Sequence, residues 1–302
     1  MTTEVRPELD AAQLDAGEFY AEFTSRNRRL ISDADQQRLR RSEILVAGCG
    51  SIGGAAVEPL VRLGAERFTL AEPGEYDVSN LNRQRFTLAD VGRNKAAVQA
   101  ERAVAINPFT RIELEEDGIT DANVRLVTER AAVIIDGVDV TAVEAIQAKV
   151  ALHAAAARVG VPVVCGYDVA GLQALIVYDY RRPGLRPFDG RISPVEAAGL
   201  TPVSFLARVV PKTAIPIEIL GVLRELAAGS TEPFPQLVYT ADLFGVLAAR
   251  AVLELLAERP VRRVTVIDVH QKLRTGPQRR LVQARRLVAL AKLVPQIRQA
   301  QR

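Results

Sequence analysis

The sequence predicts an α/β protein built on a doubly wound, mostly parallel sheet with a mixed C-terminal extension. Three observations carry that prediction. Short apolar runs alternate with helical patterns about every 25 residues between positions 44 and 165, the rhythm of parallel strands joined by crossover helices. A glycine turn, Gly48-Cys49-Gly50-Ser51-Ile52-Gly53, stands between the first apolar run and the first helical pattern. Beyond Gly171 the alternation breaks and the chain becomes proline-punctuated.

Residues 1–24 are polar and acidic and read as a loose or helical arm. Residues 25–42 are basic, with a helix expected after Ser32, where Asp33 and Asp35 favour a helix start. Ile44–Ala47 is an apolar run of strand length. A helix is expected over 55–63, closed by Gly64. Arg67–Ala71 is the second strand, with Glu72 at its carboxyl end. Residues 73–90 form a polar loop long enough to suggest a function. The pattern then gives a helix over 94–106, a strand at Arg111–Glu115, a helix over 121–130, a strand over 132–135 ending in Asp136, a helix over 141–159 closed by Gly160, and a strand over 162–165. Residues 172–180 alternate like an edge strand of a mixed sheet. In 193–232 one helical stretch stands out, 217–227; a helix over 242–257, a strand over 261–268 and a terminal helix over 277–294 follow. The expected organisation is an arm (1–24), a Rossmann-like nucleotide domain (25–180), and a C-terminal part (181–302) that completes the sheet and shapes an acceptor groove.

Composition limits the function classes. The 302 residues carry a formal charge of only +3. Acidic and basic residues are mixed throughout, so the pI near 9.0 does not point to nucleic acid. Cys49 and Cys165 are the two cysteines and neither stands in a CxxC pair, so no cysteine-built zinc site and no disulfide framework are expected. No apolar leader or run of about 18 apolar residues suggests a signal peptide or a membrane span, and a cytoplasmic protein is expected.

The polar groups cluster in sequence where ligands bind in open α/β sheets, beyond the carboxyl ends of the strands. In the glycine turn, Gly48 permits the tight turn, Gly50 the approach of a phosphate, and Gly53 close helix–strand packing. Asp77-Val78-Ser79-Asn80-Leu81-Asn82-Arg83-Gln84 follows the second strand, Gly92-Arg93-Asn94-Lys95 opens a helix, and Asp136-Gly137-Val138-Asp139 follows the fourth strand. Cations suited to phosphate oxygens and a carboxylate suited to Mg²⁺ are the equipment for chemistry at a triphosphate.

These motifs resemble the ubiquitin-activating, E1-like superfamily in its compact bacterial form, the adenylyltransferases of thiamin and molybdopterin biosynthesis. The resemblance rests on G-x-G-x-x-G at 48–53, S-N-L-N-R-Q at 79–84, G-x-x-K at 92–95, N-P at 107–108 and D-x-x-D at 136–139, and covers roughly residues 25–180. It implies that Glu72 binds the ribose hydroxyls, that Asn80, Arg83 and Lys95 hold the phosphates, that Gln84 lines the pocket, and that Asp139 holds Mg²⁺. It implies that an N-terminal arginine, Arg28 or its neighbours Arg26 and Arg29, reaches the partner's site in a homodimer. The implied reaction is ATP-dependent activation of a carboxylate as an acyl-adenylate with release of pyrophosphate. The acceptor could be the C-terminus of a ubiquitin-like or sulfur-carrier protein, a peptide, a tRNA-borne carboxylate or a small biosynthetic acid.

The chain departs from the family pattern in lacking the two CxxC pairs, in having no cysteine after Cys165, and in carrying Glu72-Pro73-Gly74 after the second strand. Both cysteines read as packing residues. His153 and His270 are assigned no role, Asp136 reads equally as a turn cap or a site residue, and Tyr167, Asp168, Arg181 and Arg182 are placed near the acceptor without a defined part. Two other functions share features of the sequence: an NAD-dependent oxidoreductase, which the glycine turn and Glu72 would suit, and a non-catalytic nucleotide- or partner-binding module of the same fold.

Overall fold

A computed structural model describes residues 15–211, 215–227, 232 and 234–300. Seven strands form one sheet in the order β3-β2-β1-β4-β5-β6-β7. They are β1 (Ile44–Ala47), β2 (Arg67–Ala71), β3 (Arg111–Glu115), β4 (Val133–Asp136), β5 (Val163–Val169), β6 (Leu172–Tyr178) and β7 (Val264–Asp268). The first five are parallel; β6 runs antiparallel to both β5 and β7. The outward order from β1 reverses between β1 and β4, so the crevice above these two strands is the topological switch point. β1 and β4 are buried at every position, as central parallel strands covered on both faces must be.

The helices before the C-terminal part are α1 (Ala16–Phe23), α2 (Asp33–Arg41), α3 (Gly53–Leu63), α4 (Lys95–Ile106), α5 (Val124–Arg130) and α6 (Val143–Val159). After β6 come α7 (Pro194–Ala197), α8 (Pro202–Val209), α9 (Leu220–Ala227), α10 (Val238–Leu256), α11 (Val269–Leu273) and α12 (Gly276–Ala300). On one face of the sheet α3 and α10 pack side by side through Ala56, Val57, Leu60, Phe244, Ala248 and Val252 against Val46, Val164 and Leu175. The other face packs α6, through Ile146, Val150 and Leu152, with the segment after β6, through Phe188 and Phe205. Burying such side chains contributes about 1.5–3 kcal/mol each.

Most sequence-derived boundaries hold within two or three residues; the helix expected over 242–257 begins at Val238, that expected over 277–294 runs to Ala300, α11 lies between expected elements, and three further regions differ. β5 continues to Val169 rather than stopping at Cys165, because a two-residue turn at Ala170-Gly171 pairs Val169 with Leu172 and converts its end into a hairpin. The proline-punctuated segment contains α7 and α8 as well as α9. Pro194 and Pro202 each occupy a helix start capped by Ser193 or Thr201, where proline begins a helix instead of breaking it. Within the expected arm, α1 is anchored: the buried Tyr20 hydroxyl donates to Gly64 O at 2.9 Å. Residues 1–14 lie outside the described residues. Among the described residues no helix is long and apolar enough to cross a membrane.

Candidate active site

The glycine turn sits where β1 and β4 diverge. Gly48 has φ +83°, and a Cβ there would lie 2.3 Å from Gly137 O, so the β1 and β4 ends touch backbone to backbone. A Cβ on Gly53 would lie 1.9 Å from Gly48 O. Gly50 differs: a Cβ there would meet only Gln84 Nε2 at 3.8 Å, leaving the turn accessible at that point. Helix α3 begins at Gly53 with Ile52 as its N-cap and no side-chain cap; Gly54 N donates to Gly50 O at 3.0 Å, and the other first-turn N–H groups, lacking a side-chain cap, suit an anion.

Glu72 ties this turn to the next loop. Its two carboxylate oxygens accept from Cys49 N at 2.7 Å and Gly74 N at 2.8 Å. The backbone N of Lys95 donates to Gly74 O at 3.0 Å, and Asn94 caps α4 through Ala97 N at 3.1 Å while its amide donates to Glu72 O at 2.9 Å. Lys95 therefore opens α4 beside Glu72. Its ammonium lies 3.6 Å from the position of a Gly74 Cβ and makes no hydrogen bond or ion pair among the described residues. A cation in a first helical turn opposes the macrodipole, and an anion placed there would relieve that cost.

The long loop is held from below. Tyr76 and Phe86 stack at 3.9 Å, and Gln99 Nε2 bonds Tyr76 Oη at 2.7 Å and Arg85 O at 3.0 Å. Arg85 also pairs with Asp242 on α10 at 2.9 Å. Asn80 closes a capping turn with Asp77, its Oδ1 accepting from Asp77 N at 3.2 Å. Arg83 donates through Nη1 to Ser79 O at 3.0 Å and Asn82 Oδ1 at 2.8 Å. Its Nε is buried without a partner, as is Gln84 Oε1. Burial lowers the Arg83 pKa, against the charges of Asp168 and Asp139 that raise it. The segment before α10 closes over the loop: Asn82 Nδ2 donates to Gln236 O at 3.2 Å, and Gln236 Nε2 to Ser51 Oγ at 3.1 Å.

The two aspartates after β4 have different environments. Asp136 is fully buried and accepts from Lys149 Nζ at 2.6 Å and His153 Nε2 at 2.9 Å, while Val138 N donates to it at 3.2 Å. Burial acts to raise its pKa, but Lys149 and His153 outweigh that and hold it low; burial lowers His153. His153 Nδ1 in turn meets Tyr180 Oη at 2.7 Å. Asp136 thus anchors a core network beneath the turn, and His153 belongs to that network. Cys165 brings its sulfur within 4.8 Å of the Asp136 and His153 ligand atoms, but the Lys149 ammonium already occupies Asp136, which disfavours a second cation. Asp139 is exposed and accepts from Thr141 N at 2.9 Å and Thr141 Oγ1 at 2.8 Å. Two acceptor positions of its carboxylate remain free, and a hard cation such as Mg²⁺ takes one or two carboxylates plus phosphate oxygens. The donor set fits that ion.

The structure brings Glu72, Gln84 and Lys95 to the turn formed by Gly48, Gly50 and Gly53; Asn80 and Arg83 lie in the loop that Gln84 and Gln236 join to it, and Asp139 follows the end of β4, where Gly137 abuts Gly48. The structure does not bring Arg28 there within one chain. Arg28 Nη2 donates to Ala21 O at 3.0 Å, and the neighbouring Asn27 bonds Leu63 O at 3.1 Å, so the segment packs on the far end of α3, about 16 Å of helix from the turn. Both cysteines are fully buried. Burial pushes the Cys165 thiol up to about 12 and the Cys49 thiol well above its usual value, and neither is poised as a nucleophile.

Asp168 is a residue to which the sequence assigns no defined part. It is 8% exposed on β5, and neither of its carboxylate oxygens has a hydrogen-bond partner among the described residues. A lone carboxylate inside an apolar strand was the available signal.

A doubly wound sheet with a glycine turn at its switch point defines the class, a Rossmann-like α/β protein. Residues 24–266 match the ThiF family, and the chain belongs to that family. A sulfur carrier protein adenylyltransferase of Thermus thermophilus is 35% identical over 110 residues, 36% of this chain and 41% of that protein. The tRNA threonylcarbamoyladenosine dehydratase of Escherichia coli is 35% identical over 138 residues, 45% of this chain and 50% of that protein. An uncharacterized Mycobacterium tuberculosis protein, MT1398, is 32% identical over 187 residues, 61% of this chain and 25% of that protein. The matched segments span a quarter to a half of these relatives. Among solved structures, the E. coli dehydratase TcdA covers 81% of this chain and 98% of its own at a TM-score of 0.57 and 24% identity. PaaA covers 86% and 82% at a TM-score of 0.60 and 15% identity. These likenesses establish the fold. TcdA has been solved with ATP and with AMP.

Proposed function

We propose that this chain is an ATP- and Mg²⁺-dependent adenylyltransferase that activates a carboxylate. The acceptor oxygen attacks the α-phosphorus of ATP, the bond to the β-phosphate breaks, and an acyl-adenylate and pyrophosphate result. The observation that carries this reading is the Lys95 ammonium beside Gly74, with only the Tyr76 ring at 5.9 Å and no hydrogen bond or ion pair among the described residues, together with the buried Arg83 Nε in the adjoining loop, which lacks a partner. Positive groups fixed in advance where a triphosphate would lie stabilise its developing charge without reorganisation. In this reading the first N–H groups of α3, that of Gly54 apart, and the open backbone at Gly50 take phosphate oxygens. Glu72, held in place by Cys49 N and Gly74 N, takes the ribose hydroxyls. Asn80 and Gln84 line the pocket. Asp139 would hold Mg²⁺, which neutralises phosphate charge when bound. An acceptor carboxylate is ionised at neutral pH, so no general base is needed, in keeping with the confinement of His153 to the core network. The burial of both cysteines favours an adenylate that is not passed to a thiol of this chain.

The test is pyrophosphate exchange into ATP across a panel of carboxylic acids and Gly-Gly-ended peptides. Exchange with the right acid is expected to fall at least 100-fold in Arg83→Ala and in Asp139→Ala, a loss of about 2.7 kcal/mol of transition-state stabilisation. Exchange at the parental rate in both variants would refute the roles of Arg83 and Asp139.

A further inference from the structure

We propose that Asp168 binds a cationic nitrogen of the acceptor, so that the activated substrate is a carboxylic acid carrying an ammonium or guanidinium group near its carboxylate, as an α-amino acid does. The inference deepens the adenylation reading and rests on it. It starts from the sheet. The last position of β4 to pair with β5 is Asp136, opposite Cys165. β5 then runs four residues further, paired only with β6, and overhangs the edge where the glycine turn lies. Asp168 is in this overhang, directly opposite Gln173 of β6, so the two side chains stand on the same face. That face is the one covered by α3 and α10, because Gly166, two residues before Asp168, abuts the Phe244 ring and Gln173 Nε2. The loop bearing Arg83 meets the glycine turn at this edge of the sheet, with Gln84 Nε2 3.8 Å from the position of a Gly50 Cβ, and the charge of Asp168 acts on Arg83.

A buried carboxylate normally has a partner. Asp168 has none among the described residues: both oxygens lack a hydrogen bond and no cation lies within ion-pair distance. Arg83 acts on it only at a distance, forming no hydrogen bond or ion pair with it, while its Nη1 is directed to Ser79 O and Asn82 Oδ1. Gln173 Oε1, directly across the strand pair, is a further buried acceptor without a donor. Two facing acceptor side chains lacking donors call for a ligand with N–H groups, and an ammonium supplies three. An acceptor with only a carboxylate would instead meet a like charge in a water-poor pocket, which raises its KM. A nitrogen cation removes that repulsion and leaves the acceptor's carboxylate for the phosphorus.

Two measurements on the full chain test this. In the first, pyrophosphate exchange is compared for pairs of acids that differ only in the amine, such as alanine with propionate and lysine with caproate, in the parent and in Asp168→Asn. The amine-bearing member is expected to exchange at least tenfold better in some pair, with the gap abolished in the variant through KM. Equal exchange of both members in every pair, an unchanged gap in the variant, or a variant defect repaired by added Mg²⁺ would overturn the proposal. In the second, binding of ethylammonium and methylguanidinium to the ATP-loaded protein is followed by NMR. Binding by the parent that weakens at least tenfold in Asp168→Asn supports the cation site, and no binding by the parent, or equal binding, refutes it. Amine binding without exchange from any acid would count against adenylation alone, whereas exchange without amine discrimination would count against the cation site alone. The parent comparisons need no variant, and cooperative thermal unfolding of Asp168→Asn confirms that it folds.

Discussion

Burial pushes the Asp168 carboxyl up to about 7, with only the Arg83 charge opposing the shift. Its folded pKa therefore lies above the ordinary carboxylate value near 3.8, and the native state holds a proton that the unfolded chain has released between about pH 4 and pH 7. Stability contributed by the protonated group is complete below pH 4 and lost as the pH rises through 7. Asp168→Asn removes that loss. The variant should match the parent at or below pH 4 and exceed it by up to about 4 kcal/mol at pH 8, read as a gap in unfolding midpoint that widens with pH. A gap that stays constant would contradict the buried, unpaired state. Natural proteins retain such a destabilising group where function uses it. The sequence alone marked Arg83, Lys95 and Asp139 through their motifs, because those residues stand at set distances from the glycine turn. It named Asp168 without a defined part and did not mark Gln173 or Gln236, because the pairing of Asp168 with Gln173 depends on the β5–β6 hairpin and the contacts of Gln236 on the segment before α10.

The glycine turn combines two kinds of constraint that a substitution pair can separate. A Cβ at Gly53 would collide with Gly48 O at 1.9 Å, whereas at Gly50 the nearest neighbour is the Gln84 side-chain amide at 3.8 Å. Gly53→Ala should cost stability, by about 3 kcal/mol or more, because backbone must move. Gly50→Ala should leave the unfolding midpoint within about 2 °C and weaken ATP binding at least tenfold by calorimetry. The reverse pattern would mean that Gly50 serves packing and not the ligand. Strand and helix identity was legible in the sequence because each short apolar run was bounded by glycine, proline or a polar cap. The end of β5 was not, since Gly166 and Asp168 look like a strand terminus until β6 folds back on them. Nor were α7 and α8, where proline reads as a breaker unless a capping serine or threonine precedes it.

The whole chain places its basic N-terminal segment at the far end of α3 from the turn, with Arg28 directed to Ala21 O. If Arg28 acts on phosphate chemistry, it does so on another protomer. Arg28→Ala and Arg83→Ala, each inactive alone, should then regain up to half of the parental activity per mixed dimer when co-expressed. One site in each mixed dimer would contain both arginines. No recovery, together with a monomer by sedimentation, would remove Arg28 from the mechanism. The C-terminal part extends the same sheet through β7, whose partner β6 follows directly from β5. α10 packs against α3, so the groove over the turn is built from segments more than 150 residues apart.

The sequence by itself determined the doubly wound sheet and the glycine turn, and it named the side chains proposed for phosphate binding, because hydrophobic period and glycine placement are local properties of the chain. The tertiary structure decided that Asp136 and His153 belong to the core, that Arg28 lies away from the turn, and that Asp168 is buried without a counter-ion. Those outcomes depend on which distant segments cover a residue, and desolvation and pairing arise only once those segments have packed.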